Sequence, residues 1–250
     1  MAKKAPAKPV ASDVINVQQF EQQTVRVRIE GVSGLVCNRM GSKAKQALLI
    51  GSGGPKKAST KKEVKHKPFD EFRDSMHLCP DAHDHTSVFM PAVAVKSAMA
   101  TSAIELEGVT AAAIKRLVYF PDEYVPIYGL PFLRMDVVRL AGPSRVADIR
   151  TRAFFPRWWS EFDVVYTPAR ITRESIFALL QNAGLIIGIG DYRQEKGKGS
   201  FGLFQVTTEE LPSGAVDKQY QKARIDKPVL YDAETEQLME FYQSAVADAA

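Results

Sequence analysis

Residues 188 to 202, GIGDYRQEKGKGSFG, set five glycines among Arg193, Lys196 and Lys198. Glycine clears side chains from a backbone that something approaches closely, and neighbouring cations suit a polyanion laid against main-chain N–H groups. The alternative is a surface hairpin that needs glycine only to turn. Nucleotide-loop motifs do not match. A P-loop requires Gly-Lys-Ser/Thr, yet Glu195 stands five positions after Gly190; a dinucleotide fingerprint begun at Gly188 and Gly190 requires glycine where Arg193 stands. Both motifs also lead from a strand into a helix, whereas this loop leaves a predicted helix and enters a predicted strand.

A second cluster lies upstream, where Arg150, Arg152 and Arg157 interleave with Phe154, Phe155, Trp158 and Trp159. Single-strand binders use this mixture, with cations for phosphates and flat rings for bases. Phe154 and Phe155 are assigned instead to the core. A third cluster, HLCPDAHDH, places His77, Cys79, His83 and His85 within nine positions. Four such donors suit a closed structural zinc site with no place for activated water, although the spacing departs from standard fingers and an ordinary polar loop is the alternative. Four histidines gathered in one stretch give no Ser-His-Asp pattern, and no acidic motif suggests paired magnesium ions, so no enzymatic activity is expected.

The elements that must position these residues follow from periodicity. TVRVRIEGV, residues 24 to 32, alternates Val25, Val27 and Ile29 with Arg26, Arg28 and Glu30, the pattern of a strand with one wet face. A short strand at Ser87 to Met90 runs into a helix led by Pro91, and the runs IKRLVYF, YVPIY and FLRMDVVRL predict strands. VADIRTRAFF and SEFDVVYTPAR predict an antiparallel hairpin across Pro156 to Trp159. Thr172 is the expected N-cap of a helix with the apolar stripe Ile176, Leu179, Leu180 and Ala183, ending at Gly184. SFGLFQVTT predicts a closing strand, and a terminal helix follows with Leu238, Phe241 and Tyr242 on one side. This order predicts an α+β fold, a ferredoxin-like or RRM-like antiparallel sheet with helices on one face and two irregular insertions. Residues 1–12 are expected to be a disordered basic arm, and 13–250 a single domain interrupted by a basic insertion at 51–68 and a second insertion at 209–229.

Charge is distributed unevenly. Residues 1–67 hold 14 Lys or Arg against 4 Asp or Glu, while residues 68–250 hold 19 against 25. A basic face on a mildly acidic body suits nucleic acid or an acidic partner. Two cysteines, no long apolar run, and an N-terminus without a secretory segment predict a reducing, cytoplasmic setting with no membrane contact.

Three stretches resemble the RAMP superfamily, whose ferredoxin-like members include the backbone subunit of CRISPR effector complexes and its phage-borne relatives. VRVRIEGVSGLVCNRM is similar to the first strand and turn of that subunit, FMPAVAVKSAMATSA to its Pro-led first helix, and GLIIGIGDYRQEKGKGSFG to its C-terminal glycine-rich loop. Ser97 follows Lys96 where the family usually has glycine. The resemblance implies copies stacked along one nucleic-acid strand, as a filament or together with other effector subunits. It places Asn38, Arg39, Lys43 and Lys45 after the first strand, Lys96 and Ser97 at the helix start, and Arg193, Lys196 and Lys198 in the loop, all on phosphates. The expected function is sequence-tolerant binding of single-stranded RNA or DNA. A protein-interaction module of a phage or mobile element is the second reading, and a metal-dependent nuclease the third.

Overall fold

The computed structural model describes residues 19–50, 66–103, 109–139, 146–196 and 199–247, without the side chains of Lys43, Ala47, Ile50 and Val216. The expected arm at 1–12 and all but the end of the 51–68 insertion lie outside the described residues. The chain runs through β1 (Gln23–Gly31), β2 (Leu35–Val36), α1 (Ser42–Ile50), α2 (Pro68–Asp74), β3 (His77–Leu78), β4 (Val88–Pro91), α3 (Ala92–Ser102), α4 (Ala111–Leu117) and β5 (Val118–Tyr119). It continues through β6 (Tyr124–Pro126), β7 (Phe132–Arg139), β8 (Ala147–Phe155), β9 (Trp159–Tyr166), α5 (Arg173–Asn182), β10 (Phe204–Val206), α6 (Lys218–Asp226) and α7 (Ala233–Ala247).

The largest sheet has the order β10-β1-β9-β5, with every neighbouring pair antiparallel. With β1, β5, β9 and β10 numbered 1 to 4 in chain order, the sheet reads 4-1-3-2, with α3 between strands 1 and 2 of this sheet and α5 between strands 3 and 4. That is the ferredoxin-like βαββαβ connection, and the fold is α+β as expected. The alternation in β1 turns Val25, Val27 and Ile29 into the core, where they meet Val164 and Phe162 of β9 and, from the helices, Val95, Met99, Ile176 and Leu180. Two three-stranded sheets, β2-β8-β7 and β3-β4-β6, extend this core.

The predicted hairpin does not form. β9 pairs with β1 and β5, whereas β8 pairs with β7 and β2. The segment between them crosses from one sheet to another because Trp158 drops into the core, fully buried, with its indole N–H donating to the Ser33 carbonyl at 2.8 Å. Two further expectations change. In IKRLVYF, Ile114 to Leu117 close α4 behind the Thr110 cap, and only Val118 and Tyr119 form a strand. The stretch 209–229, expected to be irregular, carries α6: Asp217 caps it by accepting from the N–H groups of Gln219 and Tyr220, and Gln221 and Ile225 bury into the body.

Candidate nucleic-acid interface

Thr172 caps α5 as expected, its hydroxyl accepting from the Ser175 N–H at 3.2 Å. The helix does not end at Gly184 but continues as a π-turn over Ala183–Ile187, and Gly188, at φ +73°, ends it. Beyond it the glycine loop folds onto the protein's own backbone. The Asp191 N–H donates to the Val36 carbonyl at 3.0 Å, the Ile189 N–H to Gly202 at 2.9 Å, and the Gly202 N–H to Gly34 at 2.8 Å. A Cβ on Gly190, whose φ is +82°, would stand 2.6 Å from the Val36 carbonyl oxygen. What approaches the bare main chain here is therefore β2, and the N–H groups of Ile189, Asp191 and Gly202 already have carbonyl partners.

Arg152, expected on a phosphate, holds this loop in place instead. Its side chain is 4% exposed and ion-paired with Asp136 of β7 and with Asp191 of the loop. Its guanidinium also lies 4.7 Å from the centre of the Tyr192 ring. Tyr192 has φ +52°, a left-handed conformation that a residue other than glycine keeps only where its surroundings enforce it. The sequence alone misses Asp136 and Asp191; an aspartate inside a glycine-lysine loop is the signal that an arginine elsewhere must meet it.

The loop so fixed forms one wall of a cleft of about 380 Å³. Asn38, Arg39, Ser97 and Arg193, from three separate stretches of sequence, all line it, together with His77 and the apolar residues of the β4–α3 corner. Arg39 is positioned by its own N–H, which donates to the Ser75 carbonyl at 2.9 Å, and by its guanidinium against the Met76 carbonyl at 3.4 Å. Arg193 lies 3.2 Å from Glu195 and is 21% exposed. Burial first, and then the positive fields of Arg39 and Lys45, lower the pKa of His77 below its usual value. That shift places Lys45, exposed on α1, within electrostatic reach of the cleft. Burial raises the pKa of the Cys37 thiol in the cleft wall to about 12, so it is neither a nucleophile nor an anion at neutral pH. The arrangement can hold an anion by charge and hydrogen bonding.

The remaining candidates are dispersed. Lys96 is half-buried on α3 and is not among the residues lining the cleft. Arg150 is exposed on β8, and Arg157 is exposed beside a different groove with Leu130, Phe132 and Trp159. Trp158, expected to stack on bases, is fully buried between Gly31 and Phe204 and presents no face. Lys196 is 63% exposed on the loop. The side chain of Lys43 and all of Lys198 lie outside the described residues. The four metal candidates diverge: His77 packs against Tyr124 at 5.3 Å, while His83 packs against Tyr128 and His85 at 5.7 Å each. Among the described residues no three His, Cys, Asp or Glu side chains converge as a metal site. Likewise, among them no helix is long and apolar enough to cross a membrane.

No family model matches the chain, and no curated protein matches it. Among solved structures, the crystal structure of Cmr6 from Pyrococcus furiosus aligns with a TM-score of 0.37 at 10% identity, over 76% of this chain and 100% of that one. A chain of the Type III-B Cmr-beta complex bound to cognate target RNA, solved by cryo-electron microscopy, aligns with a TM-score of 0.36 at 14% identity, over 76% of this chain and 60% of that one.

Proposed function

We propose that the chain is a non-enzymatic subunit that grips single-stranded nucleic acid without reading its sequence and assembles, with further copies or with other effector subunits, along that strand. The observation that carries this reading is the convergence of Asn38, Arg39, Ser97 and Arg193 on one cleft, with Lys45 within electrostatic reach of it. Residues scattered over about 155 positions of sequence meet at one place, and the chemistry they share is recognition of phosphate. The ferredoxin-like body presents them on a rigid corner where β2, the β4–α3 junction and the glycine loop meet.

Titration of labelled single strands across a salt series tests the reading. Binding dominated by phosphate contacts weakens steeply as salt rises, and each cation removed from the track lowers the log–log slope by about 0.7 for a single strand. The double variant Arg39→Ala/Arg193→Ala is therefore expected to flatten the slope by about 1.4. A slope that stays the same, or wild-type protein that binds only duplex, overturns it.

A further inference from the structure

The cleft is more than a row of cations. Its polar side carries Asn38, Arg39 and Arg193, but the β4–α3 side presents Phe89, Met90, Val93 and Ala94. Val93 is 63% exposed, so an apolar side chain stands in water in a cleft that two arginines also line. A phosphate track alone needs no such wall. Apolar surface in a concave site is a favourable place for a flat, weakly hydrated group, and about 380 Å³ lies in the range of sites that enclose a small ligand rather than a single ion.

Two other grooves among the described residues are built differently. The groove beside Leu130 and Trp159 is apolar with Arg157 as its one cation. In the groove beside Arg173 and Phe177, Arg26 and Arg28 are both ion-paired with Glu161, and the Arg173 guanidinium lies 5.5 Å from the centre of the Phe177 ring, the flat surface a base would need. We propose that the cleft takes one unstacked nucleobase against Val93, Ala94 and Met90 while Arg39 and Arg193 hold the adjoining phosphate. The Asn38 amide and the Ser97 hydroxyl each donate and accept hydrogen bonds, so either can serve bases of different identity, which keeps the site tolerant of sequence. A base paired in a duplex cannot enter without leaving its stack and its partner, which selects for single strands.

This inference rests on the function proposed above, and the experiment separates the two. Fluorescence anisotropy on the full chain compares a labelled oligouridylate with an abasic ribose-phosphate oligomer of equal length, and wild type with Val93→Gln, a neutral change at an exposed position. The abasic strand is expected to bind wild type roughly 10-fold more weakly. Val93→Gln is expected to bring oligouridylate down to the abasic level, to leave abasic binding unchanged, and to leave both salt slopes unchanged. Equal affinity of the two strands for wild type, or equal weakening of both by Val93→Gln, overturns the base site while leaving the phosphate track standing. Polyglutamate of matched charge binding as tightly as oligouridylate also overturns it. Failure of wild type to bind either strand overturns the track and the base site together.

Discussion

Arg152 shows how a residue type well suited to phosphate can be spent on architecture. Its charge is neutralised by Asp136 and Asp191, and its burial leaves no room for a ligand. Arg152→Ala would leave Asp191 without its cation and Asp136 with Arg134 alone, a loss of about 3 kcal/mol, trimmed because Asp191 is still 37% exposed to water. Chemical denaturation measures that loss. Because Arg152 positions the loop and touches no strand, the variant should bind more weakly while its salt slope stays at the wild-type value; a slope flattened by about 0.7 would instead place Arg152 on a phosphate. His77 supplies a pH dependence of known sign. Its pKa is lowered on folding, so between that lowered value and 6.5 the unfolded chain binds more protons than the folded one. Stability therefore rises with pH through this window and falls on acidification. His83, lowered by burial and then by His85, acts in the same sense. His77→Asn should shrink the acid-side loss in thermal melts at pH 5 to 7 without abolishing it.

At the scale of elements, periodicity located strands well and partners badly. The alternation in β1 and the stripe in α5 both follow from one element facing one core, and both are legible residue by residue. β8 departs from this because it lies at the centre of its sheet, with all of Thr151 to Phe155 buried, so an arginine at its midpoint faces aspartates rather than solvent. Nor does proximity in sequence reveal that the Pro156–Trp158 connection passes between two sheets. α6 was hidden because its mostly polar sequence buries only Gln221 and Ile225, too few apolar positions to make a stripe. α7 forms where the terminal helix is expected, but Phe241 is 74% exposed while Met239 takes the core position. The glycine loop offers a direct test of what its glycines do. Gly190→Ala forces a Cβ toward the Val36 carbonyl at φ +82°, so urea denaturation should show a loss of at least about 1–2 kcal/mol. If Gly190 served only to admit a ligand, stability would be unchanged and strand binding alone would fall.

At the scale of the whole molecule, two surfaces carry the cations that the proposed function calls for, the outer face of the ferredoxin-like sheet and the cleft at its corner. An RRM-like reading favours the sheet, since open sheets of that kind stack bases on central aromatics. Here the centre of that face carries Arg26 and Arg28 against Glu161 and Asp163. Hydrogen bonds to Asp163 and Glu161 raise the pKa of Arg26 above its usual value. Burial pushes the Glu161 carboxyl up, but the bonds from Arg28 and Arg26 outweigh it and hold the carboxyl below its ordinary value. Both observations mean that the sheet's cations are already neutralised by internal partners. Drawing them onto phosphates would break ion pairs already made, whereas Arg39, held by backbone carbonyls, has no such acid to leave among the described residues, and Arg193 has only its loop neighbour Glu195. The double variant Arg26→Ala/Arg28→Ala should therefore leave strand affinity within about twofold of wild type and the salt slope unchanged, while Arg39→Ala/Arg193→Ala weakens binding and flattens the slope by about 1.4. Measured side by side by anisotropy at two salt concentrations, the reverse ranking would move the nucleic acid from the corner of the fold to the open sheet.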